Sequence, residues 1–133
     1  MSSKQTVIIK NYHNSGGDLK IKVKQSVISE KTDGSSQVVR LKITRKPDKH
    51  SMRLGMFAYL RNNQPNYQSL GFSEVTLIFE QFSESGKFLS RTFIVFSGVA
   101  VEKSEKRGSD EEVTFIAAKK SGEFAISNVV GFP

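Results

Sequence analysis

The segment Leu19-Lys20-Ile21-Lys22-Val23-Lys24 alternates apolar residues with lysine. The segment Val39-Arg40-Leu41-Lys42-Ile43-Thr44-Arg45 repeats this alternation further along the chain. A period of two indicates a β-strand that has one face in a core and the other face presented outward. These two segments therefore predict a β-scaffold whose outer surface carries rows of positive charge.

The remainder of the chain shows further short apolar stretches of strand type. Together with the two basic segments they predict strands over residues 6–10, 19–28, 37–45, 75–79, 88–101, 113–117 and 123–126. A break near Gly98, a charged loop over residues 102–110 and the pair Ser121-Gly122 are expected to interrupt the later strands. Many short strands must close or stack to hide their edges, so we predict one all-β, mainly antiparallel domain over residues 1–133, either a barrel or a sandwich.

One segment in the middle of the chain has a different period. Met52, Met56 and Leu60 recur every four residues, which predicts one short helix at about residues 51–61 with these three side chains on its buried face. Asp48 or Ser51 is the expected N-cap, because a short polar side chain can accept a hydrogen bond from the first turn. The polar residues 62–66 are expected to end the helix.

The composition of the chain narrows the class of function. Its 133 residues include 20 Lys and Arg against 13 Asp and Glu, which gives a net charge of +7. This surplus predicts attraction to an acidic protein, nucleic acid or an anionic surface, although a basic chain is also a common solution to solubility. The absence of cysteine excludes disulfides and thiolate chemistry.

Two absences bear on location. No stretch approaches the ~18 apolar residues of a membrane-spanning helix, and the first residues lack the apolar core of a secretory signal. We therefore expect a cytoplasmic protein with no membrane partner, which would be exported only without an ordinary signal peptide.

Residues that could carry chemistry are few. His13 and His50 lie beside turns without further ligands at metal-binding spacing. The acidic residues 110–112 lack the spacing of a calcium loop, and the preceding basic residues compensate their charge. No phosphate-binding or nucleophile motif occurs. We expect no enzyme activity, no catalytic residues, no cofactor and no metal.

Aromatic residues mixed with positive charge raise the question of nucleic acid. Phe88, Arg91, Phe93 and Phe96 share one segment, and an RNA-binding sheet stacks bases on such side chains. Phe93 has apolar neighbours on both sides, which favours packing in a core. A basic β-barrel that binds nucleic acid is therefore the alternative function.

The order of the elements resembles the tube proteins of contractile injection machines, which are the phage tail tubes and the haemolysin-coregulated tube proteins of type VI secretion. The resemblance covers roughly residues 19–127 and rests on one loop, three strand segments, a helix and a further strand, at residues 33–36, 38–43, 52–60, 75–79, 91–99 and 110–115. It implies a structural subunit that forms homo-oligomeric, hexameric rings. These rings would stack into a tube that conducts cargo.

The same resemblance implies partners and a surface. The partners would be other copies of the chain, sheath or spike proteins, and secreted cargo. In a ring, the presented charges are the candidate interface or lumen residues, namely Lys20, Lys22, Lys24, Arg40 and Lys42.

Overall fold

Seven strands and one helix are present in the computed structural model, which describes residues 2–12, 17–34, 36–63 and 71–127. In chain order they are β1 Ser2–Ile9, β2 Leu19–Val23, β3 Gln25–Asp33, β4 Ser36–Arg45, α1 Ser51–Asn63, β5 Phe72–Phe82, β6 Phe88–Arg107 and β7 Asp110–Ser127. All strand pairs are antiparallel and form one sheet in the order β2-β1-β5-β6-β7-β4-β3. The prediction of an all-β, mainly antiparallel fold with one helix is confirmed.

The two terminal strands of this sheet, β2 and β3, are halves of one strand that bends at Lys24. β2 pairs with β1, and β3 pairs with β4 at the opposite end of the sheet. The Lys24 N–H donates to the Thr44 carbonyl over 2.8 Å, beside the Gln25–Thr44 pair. Lys24 and Gln25 thus both lie opposite Thr44, as in a β-bulge, and the strand bends sharply there. The sheet consequently closes on itself as a barrel.

Alternation of side chains across this wall produces the core. In β2, Leu19, Ile21 and Val23 are buried whereas Lys20 and Lys22 are exposed, as the period of two predicts. Matching inward positions on the other strands complete one apolar interior, which includes Val7, Ile9, Val39, Leu41, Ile43, Val75, Leu77, Phe96, Val99, Val101, Val113 and Phe115.

Helix α1 packs on this barrel through a different face from the predicted one. Leu54 is 0% exposed and Ala58 is buried, while Met52 is 83% and Met56 is 52% exposed. The predicted stripe of Met52, Met56 and Leu60 is therefore wrong as the buried face. The spacing of four residues does not distinguish the two faces, because Leu54 and Ala58 have it as well. The buried pair combines one large side chain with a small one that permits close approach to the sheet. None of the described residues forms a helix with the length and apolarity needed to cross a membrane.

The N-cap predicted at Asp48 or Ser51 is not observed, because both side chains accept from amides of the turn before α1. The Asp48 N–H donates to Ser51 Oγ over 3.0 Å, and the His50 N–H donates to Asp48 Oδ1 over 2.8 Å. The first helical bond recorded runs from the Leu54 N–H to the His50 carbonyl. The two polar side chains thus shape the turn that leads into the helix.

Strands β6 and β7 are longer than predicted. The expected charged loop over residues 102–110 is wrong, because β6 continues to Arg107 and β7 begins at Asp110, with Gly108 at φ 64° in the turn between them. The expected break near Gly98 is not observed, because β6 continues through Gly98 and keeps its register with β7 from Ser97 to Val99. The expected interruption at Ser121-Gly122 is a bulge inside β7, since the β6–β7 register shifts there, opposite Val95 and Phe96. Charge alone does not end a strand when the charged side chains alternate onto the outer face.

Candidate functional site

Part of the sheet extends beyond the barrel as four neighbouring strands, β1, β5, β6 and β7. The pairing of β4 with β7 ends at Val39 and Ala117, whereas β6 and β7 remain paired as far as Ser90 and Ser127. Residues 118–127 therefore have a partner on one side only among the described strands. Unpaired main-chain groups along a strand edge are a template for pairing with another chain.

The opposite end of these four strands is open as well. β1 pairs with β5 along its whole length, from Ser2 to Ile9. Its pairing with β2 begins only at Gln5. Residues 2–4 of β1 thus leave one edge unpaired among the described strands, and the four-stranded segment has a different open edge at each end.

The outer face of this segment is apolar. Ile78 lies opposite Phe93, and Phe93 lies opposite Phe124. The Phe93 and Phe124 rings stack with centroids 4.8 Å apart and planes 14° apart. Phe124 is 54% exposed, and Ile126 on the same edge strand is 53% exposed. Large apolar side chains exposed together mark an interaction surface more often than they mark ordinary surface.

A charged pair borders the apolar row. Arg91 donates to Glu80 Oε2 through Nε at 3.0 Å and Nη2 at 2.7 Å. The Arg91 guanidinium also lies 5.1 Å from the centre of the Phe88 ring. An apolar centre with a polar border is the usual composition of a protein interface.

Two of the five predicted interface or lumen residues are engaged within the chain. Lys24 Nζ lies 2.6 Å from Asp110 Oδ1. Arg40 donates to both carboxylate oxygens of Glu102, over 2.8 and 3.0 Å. These two ion pairs connect the basic segments to the β6–β7 hairpin.

The other three, Lys20, Lys22 and Lys42, are exposed and have no recorded ion pair with a described residue. Lys20 and Lys22 lie on β2, Lys24 lies at the bend between β2 and β3, and Arg40 and Lys42 lie on β4. The rows of positive charge predicted from the alternation are thus partly structural and partly available to a partner.

Carboxylates near the basic strands show the electrostatic effect of these pairs. The hydrogen bonds from Arg40 are the largest influence on Glu102 and hold the pKa of its carboxyl below the ordinary value, against the opposing effect of burial. For Asp48, burial raises the pKa, but the hydrogen bonds from Arg45 and the His50 N–H outweigh it and the pKa is lowered. Both carboxylates are therefore stabilised in the charged form.

The pair formed by Arg45 and Glu111 lies inside the protein. Their side chains are 2% and 5% exposed, and Arg45 Nη1 lies 3.0 Å from Glu111 Oε1. Arg45 Nη2 also lies 2.5 Å from Asp48 Oδ2. This arginine therefore connects the end of β4 to β7 and to the turn that precedes α1.

Other predicted positions have different outcomes. Phe96 is buried in the core as predicted, whereas Phe93 is half-buried, does not belong to the core cluster and stacks on Phe124. His13 lies outside the described residues, and the ring of His50 contacts the Tyr12 ring edge-on at 5.5 Å. Within the described ranges, no three His, Asp or Glu side chains are grouped so that they could hold a metal ion.

The sequence does not predict the open edge of β7, because the pattern indicates a separate strand over residues 123–126, whereas β7 runs from Asp110 to Ser127. A signal for it was present in Glu123-Phe124-Ala125-Ile126-Ser127, where two large apolar residues alternate with small or polar ones at the end of the described chain. Such alternation at an unpaired edge leaves the apolar side chains without internal partners.

Comparison with known proteins identifies the fold. No family model and no curated protein matches the sequence. A solved mutant of Hcp1 from E. coli EAEC 042 is 12% identical with a TM-score of 0.55, over 93% of this chain and 96% of that one. Hcp3, a secreted protein from Pseudomonas aeruginosa, is 13% identical with a TM-score of 0.53, over 95% and 99%. A type six secretion system protein is 14% identical with a TM-score of 0.54, over 96% of each chain.

The chain therefore has the fold of the Hcp proteins along nearly its whole length. The predicted resemblance to type VI tube proteins is confirmed at the level of the fold. The comparisons give no support to the nucleic-acid alternative.

Proposed function

We propose that this protein is a non-enzymatic structural subunit that assembles into rings, and that the rings stack into the tube of a type VI secretion or phage-tail-like apparatus. The observation that carries this proposal is the open edge of β7, residues 118–127, with Phe124 and Ile126 exposed beside it. The Hcp fold supports it, because the solved relatives include a type six secretion system protein.

The two open edges explain how a ring can form. The β7 edge of one copy and the β1 edge of the next are different surfaces, so the contact between them is head-to-tail, and such contacts close into a ring when the rotation allows. Each copy would add the four strands β1, β5, β6 and β7 to a shared sheet. The exposed Phe124 at the end of the apolar row would then lie beside the first strand of the neighbouring copy.

The partners and location of the tube belong to the same proposal. Sheath or spike proteins and cargo would contact surfaces that remain exposed in the ring, including Lys42 on β4. One solved relative is described as a secreted protein, which supports export of the assembled protein as part of the apparatus.

Cross-linking at the two edges tests the head-to-tail contact. Because the chain contains no cysteine, the double variant Ser3→Cys with Ala125→Cys carries one thiol on each edge. A bis-maleimide reagent should convert it into a ladder that ends at the ring, whereas each single variant should remain at the size of one chain. A ladder that stops at the dimer, or a single variant that dimerises, would show that the contact is not head-to-tail.

Substitution of the exposed apolar pair tests the contact independently. Phe124→Glu with Ile126→Glu should abolish oligomers in light scattering while leaving the melting temperature within a few degrees, because both side chains are already exposed. Met52→Glu is the control for a charge placed at another exposed apolar side chain, since Met52 is exposed on α1 and belongs to neither edge strand. Oligomers that survive the double change would exclude this face from the ring contact.

A further inference from the structure

The barrel wall has an opening beside β2. On one side β2 pairs with β1, and on the other it diverges from the chain that follows β4. The Lys24–Thr44 bond is the main-chain hydrogen bond recorded nearest to this divergence. A cleft of about 500 Å³ lies in the opening, lined by Lys20, Ile21, Lys22, Arg45, Lys46, Pro47 and Asp48.

The main-chain groups of two residues point into this cleft. In an antiparallel strand, the N–H and C=O of one residue point to the same side, and the side alternates along the strand. The Lys10 N–H donates to the Glu74 carbonyl, so the even-numbered residues of β1 face β5 and the odd-numbered ones face β2. Ile21 lies opposite Val7. The N–H and C=O of Lys20 and Lys22 consequently point away from β1, toward the cleft.

No strand described for this chain pairs with that edge of β2. Lys20 and Lys22 therefore offer two donors and two acceptors in register. This is the arrangement that accepts an added strand, because main-chain hydrogen bonds supply affinity and alternate side chains supply specificity.

The charge of the cleft defines the partner. Lys20, Lys22 and Lys46 are exposed, and no ion pair to a described residue is recorded for them. Arg45 is balanced by Glu111 and Asp48. The lining therefore has a surplus of positive charge from three lysines.

We propose that the free edge of β2 binds an extended acidic segment of another protein as an additional strand. Residues directly opposite each other on neighbouring strands have Cβ atoms about 5 Å apart, so two carboxylates at alternate positions would meet Lys20 and Lys22. The residue between them faces the interior beside Ile21 and is apolar. The recognised segment thus reads acidic, apolar, acidic.

The chain itself does not provide this segment from its described residues. Asp110 and Glu112 have the required spacing, but Asp110 is paired with Lys24, and Glu112 lies 3.8 Å from Arg107. The partner is therefore a different protein. The proposal concerns one copy of the chain and does not depend on ring formation.

The lining also favours a polypeptide over a nucleic acid. A single strand of nucleic acid binds through phosphates together with stacking of its bases on aromatic side chains. The cleft lining contains no aromatic residue on which a base could stack.

Peptide binding tests the proposal with defined probes. A fluorescent peptide of alternating valine and glutamate should bind in an anisotropy titration, and a glutamine version should bind more weakly. A third peptide keeps the glutamates but carries N-methyl groups on alternate amides, so it keeps the charge and loses the donors. It should also bind more weakly, and equal binding of the N-methylated peptide would overturn the added-strand arrangement.

Two matched variants localise the binding. Lys20→Gln with Lys22→Gln should weaken the glutamate peptide about tenfold, since two exposed charge pairs are lost. Lys87→Gln with Lys106→Gln removes the same charge from exposed positions outside the cleft and should change affinity by less than about twofold. Equal weakening by both pairs would show that only net charge matters and would overturn the site.

Amide hydrogen exchange reports the strand geometry directly. On binding, the amides of Lys20 and Lys22 should become protected, while those of Ile21 and Val23 should change little because they already face β1. Binding without protection at Lys20 and Lys22 would overturn the proposal, as would no binding at millimolar peptide. Tighter binding of a thymidine oligonucleotide than of the glutamate peptide would assign the cleft to nucleic acid instead.

Discussion

At the scale of single residues, contact with the sheet decides which side chains of α1 matter. Leu54 is completely buried, and Phe57 packs partly against the core beside it. Met52 is largely exposed and contributes little apolar burial. The helix is therefore held by the face that carries Leu54.

Truncation of Leu54 tests this assignment. Leu54→Ala should lower the free energy of unfolding by about 2–5 kcal/mol, because it removes buried methyl groups and leaves a cavity. Met52→Ala on the same helix is the control and should change stability by less than about 0.5 kcal/mol. Urea denaturation measures both values, and an equal effect of the two changes would contradict the observed helix face.

Gly98 is the residue at which the β6 backbone needs glycine. Its φ is +62°, and a Cβ at this position would lie 3.0 Å from the Cβ of Ala118. The left-handed conformation costs other residues about 1–2 kcal/mol. Glycine thus occupies the position in β6 where the backbone needs this conformation.

Substitution of two glycines by alanine should have opposite signs. Gly98→Ala should destabilise the fold by at least about 1–2 kcal/mol, since the conformational cost and the close contact add. Gly55→Ala in α1 meets open space and should stabilise by up to about 1 kcal/mol, because alanine favours helix. Thermal unfolding of the two variants checks this, and a stable Gly98→Ala protein would argue against the positive φ.

At the scale of elements, ion pairs join the basic strands to the β6–β7 hairpin. Lys24 reaches Asp110, Arg40 reaches Glu102, and Arg45 reaches Glu111. The three acidic residues lie on β6 and β7, in or next to the segment 102–110 that the sequence predicts as a charged loop. The ion pairs thus give Glu102, Asp110 and Glu111 a structural role.

Acid should weaken the fold through these carboxylates. The pKa values of Glu102 and Asp48 are lowered in the folded protein, so their stabilising effect is complete above the unfolded value of about 4 and is lost as the pH falls through the lower folded value. The free energy of unfolding should therefore decrease from pH 5 toward pH 3, to be measured by urea denaturation at each pH.

Glu102→Gln isolates one contribution. It should be less stable than the parent at pH 7 and should lose less stability on acidification, because the neutral amide cannot titrate. Glu84→Gln, in the exposed turn between β5 and β6, serves as the control. An unchanged pH slope for Glu102→Gln would contradict the role of the Arg40–Glu102 pair.

Local alternation made much of the scaffold predictable from sequence. The burial of Leu19, Ile21 and Val23 follows from the period of two, because one face of a wall strand must be apolar. Two features depend on contacts distant in sequence and were not predictable: which face of α1 meets the sheet, and where β7 loses its second partner at Ala117. The exposure of Phe124 was not predictable for the same reason, because it results from the end of the β4–β7 pairing at Ala117.

At the scale of the whole molecule, the barrel differs in its exposed edges from the extension formed by β1, β5, β6 and β7. The barrel strands pair with one another, except that β2 and β3 each have a partner on one side only among the described strands. The segment that extends past it exposes two edges and an apolar face, so it is the part suited to assembly. The division explains how the chain can fold as a unit and still present surfaces to several partners.

The bend at Lys24 also has a consequence for the order of folding. The β6–β7 hairpin joins residues close in the chain, whereas the strand before and after Lys24 must dock on β1 and β4 at opposite ends of the sheet, and β1 must first find β5. Local contacts form before distant ones, so the hairpin should be part of the folding nucleus and closure at Lys24 should come last. In stopped-flow kinetics, Val101→Ala should mainly slow folding and Ile21→Ala should mainly accelerate unfolding. The reverse pattern would place closure early. A nucleus in the hairpin makes Lys24 the place where the folded barrel first comes apart.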